Sequence, residues 1–287
     1  MDDQAERLRE KVKTLEYNKK TKTLAIVSGK GGVGKSNFAL NFAISLKKKG
    51  KSVLLFDMDV GMGNIDILMG ISTPYSIIDF FTSAVSLKKL IGKAPGGIHY
   101  ITGGSGLTEL TKINENDIKH FFDEFSIILN EYDYVLLDMG AGMDETSLRF
   151  VLSVDEVIVL TTSEPTSITD AYAAMKYIIM KNNQIPLSLL VNRASSEKEG
   201  IDTYTRISNV LKHFLGKSSE LLGVLPEDKT ISQAVKIQTP FFVHNTRSPA
   251  SKALIKITEK YCHQEESRLK NSKVNFITKL KRFLHER

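Results

Sequence analysis

The sequence predicts an α/β protein with a doubly wound, mainly parallel sheet flanked by helices, an N-terminal helical extension and a C-terminal amphipathic helix. Apolar, strand-like runs alternate with helical stretches along the chain, as in repeated βα units. Some runs, such as Val-Leu-Leu-Phe at 53–56, are continuously apolar, which is typical of strands covered on both faces. The predicted strands span 23–28, 52–57, 98–101, 133–138, 156–161, 187–191 and 221–225.

The composition limits the class of protein. Of the 287 residues, 41% are hydrophobic and 25% are charged, which suits one large domain with short appendages. The sequence has no run of about 18 apolar residues, and its charged N-terminus does not read as a signal peptide. Cys262 is the single cysteine, so one chain cannot form a disulfide framework or a cysteine metal site. We therefore expect a cytoplasmic protein.

A glycine-rich motif follows the first predicted strand. Residues 29–36 read Gly-Lys-Gly-Gly-Val-Gly-Lys-Ser and match the P-loop pattern G-x-x-x-x-G-K-[ST] between a strand and a helix. The backbone amides of such a loop and the start of its helix bind phosphate oxygens. We expect Lys35 to contact the β- and γ-phosphates and Ser36 to ligate Mg²⁺. The predicted phosphate-binding residues are Gly29, Lys30, Gly31, Gly32, Val33, Gly34, Lys35, Ser36, Asn37 and Gly142.

A second lysine in the motif narrows the class. Lys30 follows the first glycine, where an ordinary P-loop needs no cation. The segment resembles the deviant Walker A motif, K-G-G-x-G-K-[ST], of the MinD/ParA family of dimerising ATPases. The resemblance implies an ATP-dependent homodimer in which Lys30 reaches the nucleotide of the partner chain. It assigns catalytic roles to Lys30, Lys35 and Asp59.

Aspartates follow two of the predicted strands. Asp57 and Asp59 end the second strand, and Asp138 ends the fourth. On their own, these residues could form polar turns with solvated carboxylates. They resemble switch I, D-x-D-x-G-x-x-N-x-D, and switch II, D-x-x-A-G, of MinD-like proteins. The resemblance implies that Asp59 orients the attacking water, and that Asp57 and Asp138 hold the Mg²⁺ shell together with Ser36.

Two later segments resemble those that flank adenine in MinD. Each follows a predicted strand, where it could equally be an ordinary turn. An asparagine amide can pair with the edge of adenine, and the guanine-specific pattern N/T-K-x-D is absent from the sequence. We therefore expect ATP rather than GTP. The predicted adenine-binding residues are Asn192, Arg193, Pro226, Glu227 and Asp228.

The formal net charge of +6 is located in the last residues of the chain. Residues 267–287 carry seven cations and one anion, whereas the rest of the chain carries 32 of each. Apolar residues in this tail recur at helical spacing and are flanked by cations. The tail resembles the membrane-targeting helix of MinD-type proteins, and the alternative is a terminal helix docked on the domain. The predicted membrane-binding residues are Phe276, Ile277, Leu280, Phe283 and Leu284.

The N-terminal extension separates branches of this family. Its pattern D-Q-A-x-x-L-R resembles the activator segment of the flagellar-number branch, the FlhG (YlxH) ATPases, which stimulates the SRP-type GTPase FlhF. The alternative is a solvated helical extension. The FlhF-activating residues that the resemblance implies are Asp3, Gln4, Ala5, Leu8 and Arg9.

These observations divide the chain into an activator segment with its linker at 1–21, an ATPase domain at 22–262 and a membrane-targeting tail at 263–287. They imply a Mg²⁺-dependent ATPase that dimerises with ATP, associates peripherally with anionic membrane and regulates flagellar number or placement. FlhF and flagellar C-ring proteins are the candidate partners. Two alternatives stay open, a MinD-type cell-division ATPase and a ParA-type DNA-partitioning ATPase. Because the body of the chain is neutral, we expect no nucleic-acid binding.

Overall fold

The fold was analysed in a computed structural model, which describes residues 21–59, 65–83, 85–103, 115–140, 142, 145–268, 276, 279 and 280. The strands are β1 (Lys22–Ser28), β2 (Val53–Met58), β3 (Gly92–Lys93), β4 (His99–Thr102), β5 (Tyr134–Met139), β6 (Glu156–Thr161), β7 (Leu187–Ala194) and β8 (Glu220–Pro226). The helices are α1 (Lys35–Lys48), α2 (Ile65–Met69), α3 (Ile77–Ser83), α4 (Leu87–Leu90), α5 (Glu115–Leu129), α6 (Glu145–Ser153), α7 (Pro165–Lys181), α8 (Glu197–Leu215), α9 (Lys229–Lys236), α10 (Phe241–His244) and α11 (Pro249–Arg268).

The strands form one eight-stranded sheet in the order β3-β4-β2-β5-β1-β6-β7-β8. All neighbouring pairs are parallel except β3 and β4, which are antiparallel. From β1 the chain adds β2, β3 and β4 on one side and β6, β7 and β8 on the other, with β5 between β1 and β2. The sheet is therefore doubly wound. This confirms the predicted fold class, and all seven predicted strands are present within a few residues of their predicted ends. The unpredicted β3 has two residues, too few for a hydrophobic period to mark it.

Helices cover both faces of the sheet. One apolar cluster joins the sheet to α3 through α8, and the other joins it to α1, α2 and α9 through α11. The central strands β1, β2, β5 and β6 are therefore almost wholly buried, which explains their continuous apolar runs. Within the described part of the chain, no helix is both long and apolar enough to span a bilayer.

Local signals in the sequence set several helix ends. Helix α8 begins at the N-cap Ser196, whose hydroxyl accepts a hydrogen bond from the Glu199 amide at 3.2 Å. It ends at Gly216, which has a φ of 62° and so closes the helix in the left-handed conformation that glycine adopts readily. Helix α11 continues to Arg268, six residues beyond the predicted end of the ATPase domain at 262.

Candidate nucleotide site

The P-loop joins β1 to α1 at the carboxyl edge of the sheet. Residues 29–34 form the loop, and α1 begins at Lys35 and Ser36. Gly34 has a φ of 93°, and a Cβ added there would lie 2.5 Å from Asn192 Nδ2. Glycine is therefore required at this position by both conformation and space. The loop lies between a strand and a helix, which is the setting in which the backbone amides of such a motif bind phosphate oxygens.

Lys35 points to the end of β5. Its ammonium nitrogen lies 3.2 Å from Asp138 Oδ1, and both side chains are buried. Asp138 Oδ2 is also buried and has no hydrogen-bond partner in the described part of the chain. A buried polar atom without a partner costs free energy. This oxygen is therefore available for a ligand at the P-loop.

Asp57 lies beside Asp138, because the two residues are register partners in the neighbouring strands β2 and β5. Burial, reinforced by the nearby Asp138 carboxylate, raises the pKa of Asp57 to about 7. Burial also raises the pKa of Asp138, although the Lys35 ammonium opposes the shift. Both shifts mean that the folded site disfavours two ionised carboxylates side by side, a penalty that a bound cation would relieve.

The residues predicted to hold Mg²⁺ fit such an ion. They are two carboxylates and the Ser36 hydroxyl, and hard oxygen donors are the ligands that Mg²⁺ prefers. The described part of the chain contains no group of three or more acidic, histidine or cysteine side chains arranged as a metal cage.

Asp59 brings the two predicted switches together. Its amide donates a hydrogen bond to Asp57 Oδ1 at 3.0 Å. A Cβ added to Gly140, just after β5, would lie 3.0 Å from Asp59 Oδ1. Gly142 follows at a φ of 101°. Gly140 therefore leaves room for the Asp59 carboxylate, whereas Gly142 is favoured by its backbone conformation alone.

Lys30 does not point into its own P-loop. Its ammonium nitrogen lies 3.3 Å from Glu164 Oε2 and 3.2 Å from Thr166 Oγ1, at the start of α7. Both Lys30 and Glu164 are exposed. Neither partner was predicted from the sequence, in which the one available signal is the Ser-Glu-Pro-Thr segment at 163–166, between a strand and a helix. Lys30 is therefore positioned on the outer surface of the site.

The carboxyl ends of β7 and β8 bring the two predicted adenine segments together. Pro226 is the register partner of Ala194, and the Glu227 amide donates to the Ala194 carbonyl at 2.9 Å. Asn192 is buried, and its Nδ2 donates to the Val33 carbonyl in the P-loop at 2.8 Å. Its Oδ1 is buried without a partner among the described residues. An exocyclic amino group, such as that of adenine, could donate a hydrogen bond to this oxygen.

Arg193 and Asp228, which belong to the same two segments, differ from Asn192 in their surroundings. Arg193 is exposed and has a φ of 55°, an uncommon conformation for a residue other than glycine. Asp228 caps α9 by accepting from the Thr230 amide at 2.8 Å, and it accepts from the Ala250 amide at 3.0 Å. Both Asp228 oxygens therefore already bind backbone donors, which indicates a structural role.

Five further residues of the P-loop segment complete the placement of the predicted set. Val33 is buried in the core on the α1 face of the sheet. Asn37 accepts two hydrogen bonds from the Asn41 amide group, on its carbonyl at 2.7 Å and on its Oδ1 at 3.0 Å. The glycines at 29, 31 and 32 lie in the loop between β1 and α1.

The described residues of the C-terminal tail lie on the body of the protein. Phe276 and Leu280 are buried in the core on the α5 face, and the Phe276 ring meets the Phe125 ring at a centroid distance of 6.2 Å. Lys279 lies 3.6 Å from Asp155. The other predicted membrane-binding residues, Ile277, Phe283 and Leu284, lie outside the described residues. So does the N-terminal segment with Asp3, Gln4, Ala5, Leu8 and Arg9.

Sequence comparison places this chain among known proteins. It matches a family described as ParA, NUBPL iron-transfer P-loop NTPase, over residues 19–262. It is 31% identical over 237 residues to the antiactivator FleN of Pseudomonas aeruginosa, which covers 83% of this chain and 85% of FleN. It is 37% identical over 218 residues to the flagellum site-determining protein YlxH of Helicobacter pylori, which covers 75% of this chain and 73% of YlxH.

Solved structures share the same architecture. The chain resembles the MinC:MinD cell division protein complex of Aquifex aeolicus with a TM-score of 0.68 at 25% identity, covering 85% of this chain and 96% of that one. It resembles the septum site-determining protein MinD of Pyrococcus horikoshii, complexed with Mg-ADP, with a TM-score of 0.69. That match covers 88% of this chain and 100% of the other at 22% identity. The family match and the geometry of the P-loop lead to one conclusion: this chain belongs to the ParA/MinD family of P-loop ATPases.

Proposed function

We propose that this protein is an ATPase that dimerises around ATP, associates with the membrane through its tail and regulates flagellar number or placement. The ATPase activity in this proposal rests on one observation, the buried ion pair between Lys35 and Asp138. The second carboxylate oxygen of Asp138 has no hydrogen-bond partner in the described part of the chain. The similarity to FleN and YlxH supports the flagellar role. In this proposal the protein is cytoplasmic and binds the membrane peripherally.

The site residues divide the chemistry of hydrolysis. Mg²⁺, when bound, neutralises charge on the phosphates. Ser36, Asp57 and Asp138 are the groups that would hold it, and Lys35 would turn from Asp138 to the phosphates. Asp59 would orient the attacking water, since its carboxylate adjoins Gly140 in switch II. Asn192 Oδ1 would accept from the amino group of adenine.

Lys30 is the group that makes the site depend on a second copy of the chain. Its ammonium is exposed, and among the described residues it binds Glu164 and Thr166. An exposed ion pair is worth little free energy. Lys30 can therefore leave Glu164 at low cost and bind a phosphate in a partner chain.

Two variants test this dimer. Asp59→Ala should bind ATP, hydrolyse it hardly at all and accumulate as a dimer on gel filtration. Lys30→Ala should keep ATP binding to the monomer but lose much of the dimer. If both variants stayed monomeric with ATP and hydrolysed it at the parent rate, the dimer proposal would be wrong.

The tail has two candidate environments, the body and the membrane. Phe276 and Leu280, which the sequence assigns to the membrane, are buried against the α5 face. Membrane binding would require this contact to open, which weakens the binding of one tail. Two tails on one dimer raise the effective concentration of the second at the surface. This would make membrane binding depend on ATP.

Sedimentation with liposomes tests the anchor. The full chain should bind anionic vesicles with ATP and much less with ADP, and deletion of 273–287 should abolish binding. Leu280→Glu should also abolish vesicle binding, although it could disturb the docked state as well. Gel filtration and ATP turnover in solution report that disturbance separately. Unchanged vesicle binding after the deletion would refute the anchor.

The N-terminal segment is proposed to activate FlhF. The described chain begins at Thr21, whose hydroxyl donates to the carbonyl of Leu129 at 2.6 Å. This places the start of the domain at the amino edge of the sheet, at the opposite end of the strands from the P-loop. A segment attached there can reach another active site without covering the chain's own nucleotide.

A peptide of residues 1–20 should stimulate GTP hydrolysis by FlhF. Gln4→Ala should weaken the stimulation, because a glutamine amide can orient a water or a phosphate oxygen. Leu8→Ala should weaken binding of the peptide. A saturating peptide that gave no stimulation would favour the MinD-type alternative, which the 28% identity to MinD of Bacillus subtilis keeps open.

A further inference from the structure

A cluster of lysines lies at the end of α1. Four of the five residues from 47 to 51 are lysines. Lys47, Lys48 and Lys49 are exposed, and Lys51 is half-buried. We call Lys47, Lys48 and Lys51 the lysine cluster, because Lys49 has a partner of its own in Glu259. The cluster lies at the amino edge of the sheet, opposite the P-loop.

The charges of the lysine cluster are not neutralised by neighbouring carboxylates. Within the described part of the chain, none of the three forms an ion pair. The Lys48 ammonium lies 4.6 Å from the centroid of the Phe242 ring, a contact that leaves the charge in place. Cations at a helix C-terminus complement the helix dipole, but that effect is confined to the last turn and Lys51 lies beyond it.

The chain leaves the domain for its tail beside this cluster. Helix α11 packs along α1, where Thr258 Oγ1 donates to Ser45 Oγ at 2.8 Å. The Lys49–Glu259 pair joins the two helices at the same corner. Helix α11 ends at Arg268, and residues 269–275 connect it to Phe276. Glu265, near that end, lies 3.0 Å from Lys22 at the start of β1, so the end of α11 and the lysine cluster both lie at the amino edge of the sheet.

We propose that the lysine cluster is a second membrane contact, which binds the headgroups of anionic phospholipids and holds the body against the surface that the tail enters. This proposal rests on the membrane association proposed above. Each lysine near an anionic membrane strengthens binding roughly fivefold. The attraction is screened by salt over about 10 Å at 0.1 M. Lipid is favoured over nucleic acid because the cluster adjoins the root of an amphipathic tail.

The test compares two triple variants of the full chain. K47Q/K48Q/K51Q neutralises the lysine cluster. K176Q/K181Q/K212Q neutralises three exposed lysines near the ends of α7 and α8, on the opposite face of the sheet, where Lys181 also lies over an aromatic ring, that of Tyr177. Both variants change the net charge equally. ATP turnover in solution and gel filtration check that each variant folds and dimerises.

Binding is measured by sedimentation with ATP on phosphatidylcholine vesicles that contain or lack phosphatidylglycerol. We expect the cluster variant to bind anionic vesicles roughly a hundredfold more weakly at low salt, from three contributions of about fivefold each. High salt should remove the difference, and binding to neutral vesicles should not change. The control variant should bind nearly as well as the parent.

Several results would overturn the proposal. Equal losses in both variants would show that net charge alone matters, and no loss in the cluster variant would show that the lysines do not touch lipid. Lost affinity for duplex DNA with normal vesicle binding would assign the cluster to nucleic acid. Deletion of 273–287 tests the anchor separately: if it abolishes binding while the cluster variant binds normally, the anchor stands and the lysine proposal falls. If lysine-dependent binding survives the deletion, the lysine proposal is supported and the anchor fails.

Discussion

The carboxylates at the two ends of the parallel strands differ in burial and in the number of hydrogen bonds that they accept. At the carboxyl end, Asp138 keeps an oxygen without a partner in the described chain, and burial raises the pKa of Asp57 to about 7. At the amino end, Asp133 accepts hydrogen bonds from the amide and hydroxyl of Ser52 at 2.6 and 2.8 Å. Asp155 likewise accepts from the amide and hydroxyl of Thr23 at 3.0 and 2.9 Å.

This difference distinguishes carboxylates that stabilise the fold from carboxylates that are suited to bind a ligand. Carboxylates at the amino end join neighbouring strands and are satisfied by donors close to them. At the carboxyl end, Asp57 accepts from the Asp59 amide and Asp138 accepts from the Lys35 ammonium. Burial nevertheless raises the pKa of both carboxyl groups, so their ionised forms are unfavourable without a further cation. Sites of this kind persist because they act in binding or catalysis. Four substitutions test this difference between the two ends of the strands, and they follow in decreasing order of expected effect.

Replacement of Lys35 by alanine should have the largest effect. The change removes the buried ammonium that would bind the phosphates, and ATP affinity should fall roughly a hundredfold or more, the scale of a buried charged contact. Isothermal calorimetry measures this loss. Lys22→Ala is the matched change at the amino end, where Lys22 lies 3.0 Å from Glu265. It should lower the melting temperature and leave ATP affinity intact, and unchanged affinity in Lys35→Ala would contradict the site.

Replacement of Asp57 by asparagine should stabilise the protein when nucleotide and Mg²⁺ are absent. The folded pKa of Asp57 is raised from 3.8 to about 7, so the folded state disfavours the ionised form. Stability should therefore fall as the pH rises from about 4 to 7, and Asp57→Asn should lack this loss. The gain above pH 7 is on the order of a few kcal/mol. Denaturation in EDTA at several pH values measures it, and a gain that did not vary with pH would contradict the raised pKa.

Replacement of Asp133 by alanine should destabilise the protein by about 2 kcal/mol, because the two half-buried hydrogen bonds from the amide and hydroxyl of Ser52 are lost. ATP affinity should not change, since Asp133 lies at the amino end. Asp133→Asn is the control and should cost less, because the amide oxygen can still accept. Urea denaturation gives the free energies of unfolding. A reduced ATP affinity in Asp133→Ala would show that the two ends are not independent.

Replacement of Glu164 by alanine should have the smallest effect on stability. Glu164 and Lys30 form an exposed ion pair at 3.3 Å, and such pairs contribute less than about 1 kcal/mol. Because the pair holds Lys30 on its own chain, its loss should tighten ATP-dependent dimerisation by up to a few-fold. Analytical ultracentrifugation with the Asp59→Ala background measures the dimer. Weaker dimerisation would indicate that Glu164 helps to position Lys30 rather than restrain it.

The sequence determined the fold class and the main groups of the nucleotide site. Continuous apolar runs marked strands covered on both faces, and the glycine-lysine spacing marked a phosphate loop, because both depend on residues close together in the chain. The aspartates at strand ends were predicted for the same reason, since parallel strands bring their carboxyl ends to one edge. The contacts of Asp138 and Asp59 agree with that reasoning.

Only the tertiary structure decided contacts between distant residues. Lys30 meets Glu164 across 134 positions, and Asn192 bonds to Val33 across 159. Asp228, predicted at adenine, has both oxygens engaged by backbone amides. The amphipathic pattern of the tail fitted either a membrane or a docked helix, and Phe276 is buried on the body. A pattern of apolar residues shows which face of a helix avoids water, but only the packing of the whole chain provides the surface that covers it.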